Sequence, residues 1–148
     1  MNKIKVTPEM LKDIVKQFPY FNEYLWIGVE HDGLYWHSDV NPIEIVGVKG
    51  NTIEIRRMKI GDNKTKMEFI PGGFSAHCLN NSSQDWEIES NPDSPVEKAR
   101  IIKIFEYNRK QYDPDTKGYK DVKEYSIIRN GLTYRFSDKP CYYYDFNF

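Results

Sequence analysis

Tyr125-Ser126-Ile127-Ile128-Arg129-Asn130-Gly131-Leu132-Thr133-Tyr134-Arg135-Phe136 is the stretch whose reading decides the fold. An Asn-Gly pair favours the tight turn whose twist matches two antiparallel strands. A two-residue loop there puts Tyr125, Ile127, Leu132, Tyr134 and Phe136 on one face, with Ser126, Thr133 and Arg135 on the other. An apolar face that emerges from both arms is what fixes strand register. Two more pairs repeat the pattern. Asp32-Gly33 joins Trp26–His31 to Leu34–Ser38, with Val29 expected opposite Trp36 and Glu30 opposite Tyr35. Gly50-Asn51 places Val46, Val48, Ile53 and Ile55 on one face, continued outward by Glu44 and Arg57.

Working outward, Thr7-Pro8-Glu9 opens like a helix: a hydroxyl cap, a proline in the first turn and an early acid. Leu11, Ile14, Val15 and Phe18 recur at helical spacing, and Pro19 ends the run, giving a helix over about 8–18. Tyr20, Phe21, Tyr24 and Trp26 are read as a short second turn. Further strands are expected at Lys66–Ile70, Trp86–Glu89, Ala99–Tyr107 and Cys141–Phe146. Pro71–Ser83, Ser90–Pro95 and Lys110–Lys120 carry the Gly, Pro, Asn and Asp of loops. The fold expected is one mainly β domain over 1–148, with an N-terminal helix on a twisted antiparallel sheet or small SH3-like barrel.

Composition narrows the setting. Twenty-two aromatic residues among 148 suit a half-buried pleated surface. Cys78 and Cys141 form no disulfide framework, the first residues are too polar for a signal peptide, and no run approaches a membrane span. A cytoplasmic protein is the expectation, with no membrane partner. A net charge of -1 gives no general pull on polyanions, but the charge is uneven. Lys49 to Lys66 holds six Lys or Arg against two acids, whereas Met67 to Glu97 holds six acids and no Lys or Arg. Such blocks more often pair or solvate than recruit a partner.

Chemistry-bearing residues concentrate between Pro71 and Trp86. Gly72-Gly73 could present backbone N–H groups to an oxyanion, although the lysine of a P-loop is missing. His77-Cys78 invites a thiolate nucleophile, with Asn80 and Gln84 nearby. Neighbours on an extended strand point to opposite faces, so His31 or His37 would have to supply the base. Zinc would need His31, His37, His77 and Cys78, whose spacing fits no known site; no metal and no cofactor is expected. Asp113, Asp115 and Asp121 lack the bidentate glutamate of a calcium loop. A nucleic-acid reading uses Arg56, Arg57 and Lys59 for charge and Trp26 and Trp36 for stacking, set against those rings simply filling the core.

The segment Ile70-Pro71-Gly72-Gly73-Phe74, with His77-Cys78, Asn80-Asn81, Gln84 and Trp86, resembles small proteins carried by bacteria, phages and mobile elements. The ending Asp138-Lys139-Pro140 with Tyr143-Tyr144-Asp145-Phe146-Asn147-Phe148 is similar as well. That family carries no assigned activity, so the resemblance implies a mobile-element accessory protein and no catalytic residue. The expected function is therefore a non-enzymatic binding module that contacts nucleic acid or a host or phage protein. The alternatives are a small enzyme built on the 71–86 loop through Cys78 or His77, and an inhibitory or structural protein acting on a partner.

Overall fold

The computed structural model describes residues 2–29, 35–71, 78–144 and 146, with only the backbone described for 26–29 and 35–38. Helix α1, Pro8–Gln17, begins where Thr7 Oγ1 accepts from the Met10 N–H at 3.2 Å. It ends where Phe18 N–H reaches Ile14 O, just before Pro19. Leu11 and Ile14 are buried, as their spacing requires.

Among the described residues ten strands follow the order β1 Asn2–Lys5, β2 Tyr20–Val29, β3 Tyr35–Lys49, β4 Thr52–Arg57, β5 Lys59–Asn63, β6 Trp86–Glu89, β7 Glu97–Arg100, β8 Lys103–Asp113, β9 Gly118–Arg129 and β10 Leu132–Ser137. Eight of them form one antiparallel sheet, β1-β8-β9-β10-β2-β3-β4-β7, and β5 pairs with β6. The sheet curls but does not close, so the barrel expected as one alternative is replaced by the other, an open twisted sheet. Its two edges, Asn-Lys-Ile-Lys and Glu-Lys-Ala-Arg, are short and charged, which discourages pairing with another chain.

The Asn130-Gly131 hairpin has the expected register, Leu132 opposite Arg129 and Tyr134 opposite Ile127, with both residues of the turn at positive φ. Ile127, Tyr134 and Phe136 are buried together with Phe21, Ile43, Ile53, Ile55 and Ile104, and α1 lies on this concave face against β3 and β10. The Gly50-Asn51 turn also joins neighbouring strands, but β3 carries one extra residue. Ile45 faces Ile55 and Gly47 faces Glu54, leaving Val46 unpaired and exposed. This bulge brings Ile43, not Glu44, opposite Arg57. A Cβ on Gly47 would come within 3.3 Å of the Glu54 carboxylate, which fits a glycine at the kink.

Other expectations are corrected by competing backbone partners. Tyr20–Trp26 is not a turn but the start of β2, because Pro19 releases the chain into pairing with both β3 and β10. Asp32-Gly33 lies outside the described residues, and the strands around it place Val29 opposite Tyr35 rather than Trp36. Ala99–Tyr107 is broken at Ile101-Ile102, where Ile101 N–H donates to Asn51 O and Ile102 O accepts from Val6 N–H. Lys66–Ile70 and Cys141–Phe146 contribute one isolated bridge each, Phe69 with Cys78 and Tyr143 with Val40. Lys110–Lys120 is no long loop: β8 and β9 stay paired to Asp113 and Gly118, and Lys117 takes the positive φ of the turn.

Asn51 joins the two edges of the sheet at one end. Its Nδ2 donates to Val6 O at 2.9 Å, just past β1, and to Ile101 O at 3.0 Å, just past β7. Replacing it with alanine leaves two carbonyls without their donor, and is expected to cost about 1.5 kcal/mol in urea unfolding. An unchanged midpoint would show that this junction carries no strain-bearing role.

Candidate functional site

The residues nominated between Cys78 and Trp86 converge, but on the aromatic tail of the same chain. Gln84 Oε1 accepts from the Tyr144 N–H at 3.0 Å and from Trp86 Nε1 at 2.7 Å, while its Nε2 donates to Tyr144 O. Asn81 Oδ1 accepts from the Phe146 N–H at 3.1 Å. Rings close the contact, Trp86 on Tyr142 at 4.9 Å and Phe69 on Phe146 at 5.7 Å between centroids. Asn80 bonds backbone instead, donating to Lys66 O and accepting from Glu68 N–H. Cys78 is 3% exposed, with Sγ 3.4 Å from Asn80 Oδ1. These amides read extended backbone, as side chains do where a loop must be tied to a terminal segment. Gly72, Gly73 and His77 lie outside the described residues.

Two of the three nominated cations are engaged inside the protein. Arg56 donates Nε and Nη2 to Glu44 Oε1 at 3.0 and 2.7 Å. Arg57 donates Nη1 and Nη2 to the two oxygens of Glu23 at 3.1 and 3.0 Å. Lys59 sits opposite Glu89 in the β5–β6 pair, so the basic and acidic blocks of the sequence are neighbours. The side chains of Trp26 and Trp36 fall outside the description, and their backbones pair with His37 and Gly28.

Glu23 itself was not anticipated. It is a buried acid at a core position of β2, two residues beyond Phe21, and receives Arg57, the Tyr134 hydroxyl at 2.6 Å and Asn41 Nδ2 at 3.3 Å. Burial pushes its carboxyl up, but the hydrogen bonds from Arg57 and Tyr134 and the Arg57 charge outweigh this and hold it below the usual range. Burial, with the bonded Glu23 carboxylate, pushes the Tyr134 hydroxyl up to about 12. Reading Tyr20–Trp26 as a turn concealed this residue, because only strand alternation brings it inward.

A cleft opens where β8 parts from β9. The two strands stay paired up to Phe105 and Ser126, and beyond that β8 keeps only its pairing with β1 while β9 runs on along β10. The space between is about 290 Å³, walled by Ile101, Ile102, Ile127 and Ile128 and edged by Arg100, Lys103 and Arg129. It adjoins a shallower groove of about 550 Å³ beside Lys3 and Phe105. Ile128 is 62% exposed and Ile102 is exposed as well. Lys3 Nζ lies 5.6 Å from the Phe105 ring centroid, and Lys5 stands directly opposite Lys103. Among the described residues Lys3, Lys5, Arg100 and Lys103 make no ion pair. Like charges placed opposite each other in a ladder destabilise it unless something anionic relieves them. The arrangement can therefore hold a negatively charged molecule that also offers flat or apolar surface.

No protein-family model, curated protein or solved structure matches the chain. Among the described residues no helix is long and apolar enough to cross a membrane, and no group of three or more His, Cys, Asp or Glu is placed to hold a metal ion.

Proposed function

We propose that the chain is a non-enzymatic binding module of a phage or mobile element, acting in the cytoplasm and holding single-stranded nucleic acid in the cleft beside β8 and β9. The observation that carries this reading is the opposed pair Lys5 and Lys103, without an ion pair, beside apolar surface made by exposed Ile102 and Ile128 and half-buried Phe105. Proteins that hold single strands combine a cationic groove with surfaces on which bases stack. The cations of the reading thus move from Arg56, Arg57 and Lys59, which face carboxylates, to Lys3, Lys5, Arg100 and Lys103.

Fluorescence anisotropy with a labelled oligonucleotide tests it. Four phosphate contacts predict about a 50-fold loss of affinity over roughly a fourfold rise in salt. The double substitution Arg100→Glu and Lys103→Glu should remove binding without lowering the melting temperature, since Glu at 103 would face Lys5 as an opposite charge. Binding indifferent to salt or to this substitution, or no binding to any DNA or RNA, discards the proposal.

One observation favours a protein partner as the second reading. Among the described residues the β8–β9 ribbon has no sheet neighbour beyond Tyr107 and Glu124, and near its end Tyr112 and Tyr119 stack edge to face at 5.6 Å, with Tyr119 73% exposed. Exposed, ordered tyrosines are common anchors in protein interfaces. Loss of a host-protein complex on changing Tyr119 to Ala, with nucleic acid ignored, would favour it.

A further inference from the structure

The concave side of the sheet holds a second feature that the nucleic-acid reading does not use. At the end of the curl there is a cavity of about 140 Å³. Its apolar lining includes Ile43, Ile55, Pro95 and the ring of Tyr134, and its polar lining includes Arg57, Glu97 and Arg129. Strand register explains the convergence. Arg57 lies opposite Ile43, Glu97 opposite Ile55 and Tyr134 opposite Ile127, so β4, β7 and β10 all turn these residues to the core face.

The two guanidinium groups are held differently. Arg57 is fixed from behind by the buried Glu23 carboxylate, which takes both of its terminal nitrogens, yet 53% of its side chain remains exposed. Among the described residues Arg129 forms an ion pair only with Glu97, at 3.6 Å, and that glutamate is itself more than half exposed. A buried ion pair is a costly way to stabilise a core, since apolar residues of similar size often do as well. Its use at the rim of a cavity makes sense as orientation of Arg57. Planar guanidinium groups bind carboxylates through paired hydrogen bonds, and the isoleucine and tyrosine surfaces beside them suit a short apolar group.

We infer that this cavity binds a compact carboxylate carrying an apolar group, with Arg129 and Arg57 on the oxygens and Ile43, Ile55 and Tyr134 around the rest. Glu97 occupies the anion's place in the empty pocket and swings out when the ligand enters. The carboxylate comes either from a free small acid or from the end of a peptide chain; both present the same group.

Isovalerate, N-acetyl-leucine and N-acetyl-leucinamide, titrated into the full chain and followed by NMR, test the inference. Both acids should saturate near about 1 mM, an ordinary affinity for so small a ligand, and the amide should not bind. Glu97→Gln removes the internal competitor and should tighten both acids about fivefold, whereas Arg129→Gln should weaken them about tenfold. Tighter binding of N-acetyl-leucine than of isovalerate identifies a chain terminus, and the reverse order a free acid. The inference is overturned if neither acid gives a saturable change in the wild type and in Glu97→Gln. It is equally overturned if the amide binds as well as the acids, or if Arg129→Gln binds undiminished while melting like the wild type. The responses of Glu97→Gln and of the amide do not depend on whether the cleft beside β8 and β9, which Arg129 also edges, binds nucleic acid.

Discussion

Changing Phe21 to alanine is expected to remove about 4 kcal/mol of stability, the range found when a buried aromatic side chain is deleted from a packed core. Phe21 is 1% exposed, and its ring lies 4.3 Å from that of Phe136 and 6.0 Å from that of Tyr134. Its backbone is paired on both sides, with Phe136 on β10 and Ile43 on β3, so neighbouring strands cannot slide in to fill the space. The loss also loosens Tyr134, whose hydroxyl is bonded to Glu23. Urea unfolding measures the effect, and Phe21→Leu, which keeps most of the volume, should cost well under half as much. A loss below about 1 kcal/mol for the alanine variant would mean that the β2 register is wrong.

Arg57→Met is expected to cost about 2.5 kcal/mol, because it strands a buried carboxylate with only Tyr134 and Asn41 as donors. The figure sits below the usual range for breaking a buried pair because Arg57 is half in water. Replacing Glu23 with Met as well should restore most of the loss, since a buried ion pair and an apolar pair of similar volume differ little. The pH dependence separates this from simple misfolding. Glu23 titrates lower in the folded protein than in the unfolded chain, where the ordinary value is 4.5. Its contribution is therefore complete above that value and disappears as the pH falls through the lower folded value. The double variant should show a flatter acid limb than the wild type in thermal melts between about pH 6 and pH 3. Parallel acid limbs would deny Glu23 this role.

The hairpin around Asn130-Gly131 and helix α1 were legible because each is specified locally, one by turn dihedrals and alternation, the other by a cap and a spacing. Much of what failed was set by distant partners. The Ile101-Ile102 break exists because Val6 and Asn51, 50 residues or more away in the chain, take backbone groups there. The bulge at Val46 is local, one residue more on β3 than on β4 with Gly47 at the kink, and alternation alone does not reveal it. The candidate sites show the same division. Asn81, Gln84 and Trp86 were recognisable as a group by their polar and aromatic character, but not as the fastening of a tail about 60 residues on. Arg56 and Arg57 looked like surface charge because their partners, Glu44 and Glu23, sit on other strands. The cations of the cleft escaped notice since Lys5 and Lys103 meet only through strand pairing across most of the chain.

The position of β10 between β9 and β2 has a kinetic consequence. The sheet's middle is completed by β10, the last in chain order of the described strands, so a nascent chain emerging from the ribosome carries β2 and β3 with a row of unsatisfied amides and an uncovered Phe21. Contacts this remote in sequence form slowly, and the waiting intermediate is prone to clump. Yield during expression should therefore respond to slower translation or to a chaperone more strongly than the stability of the finished molecule would suggest.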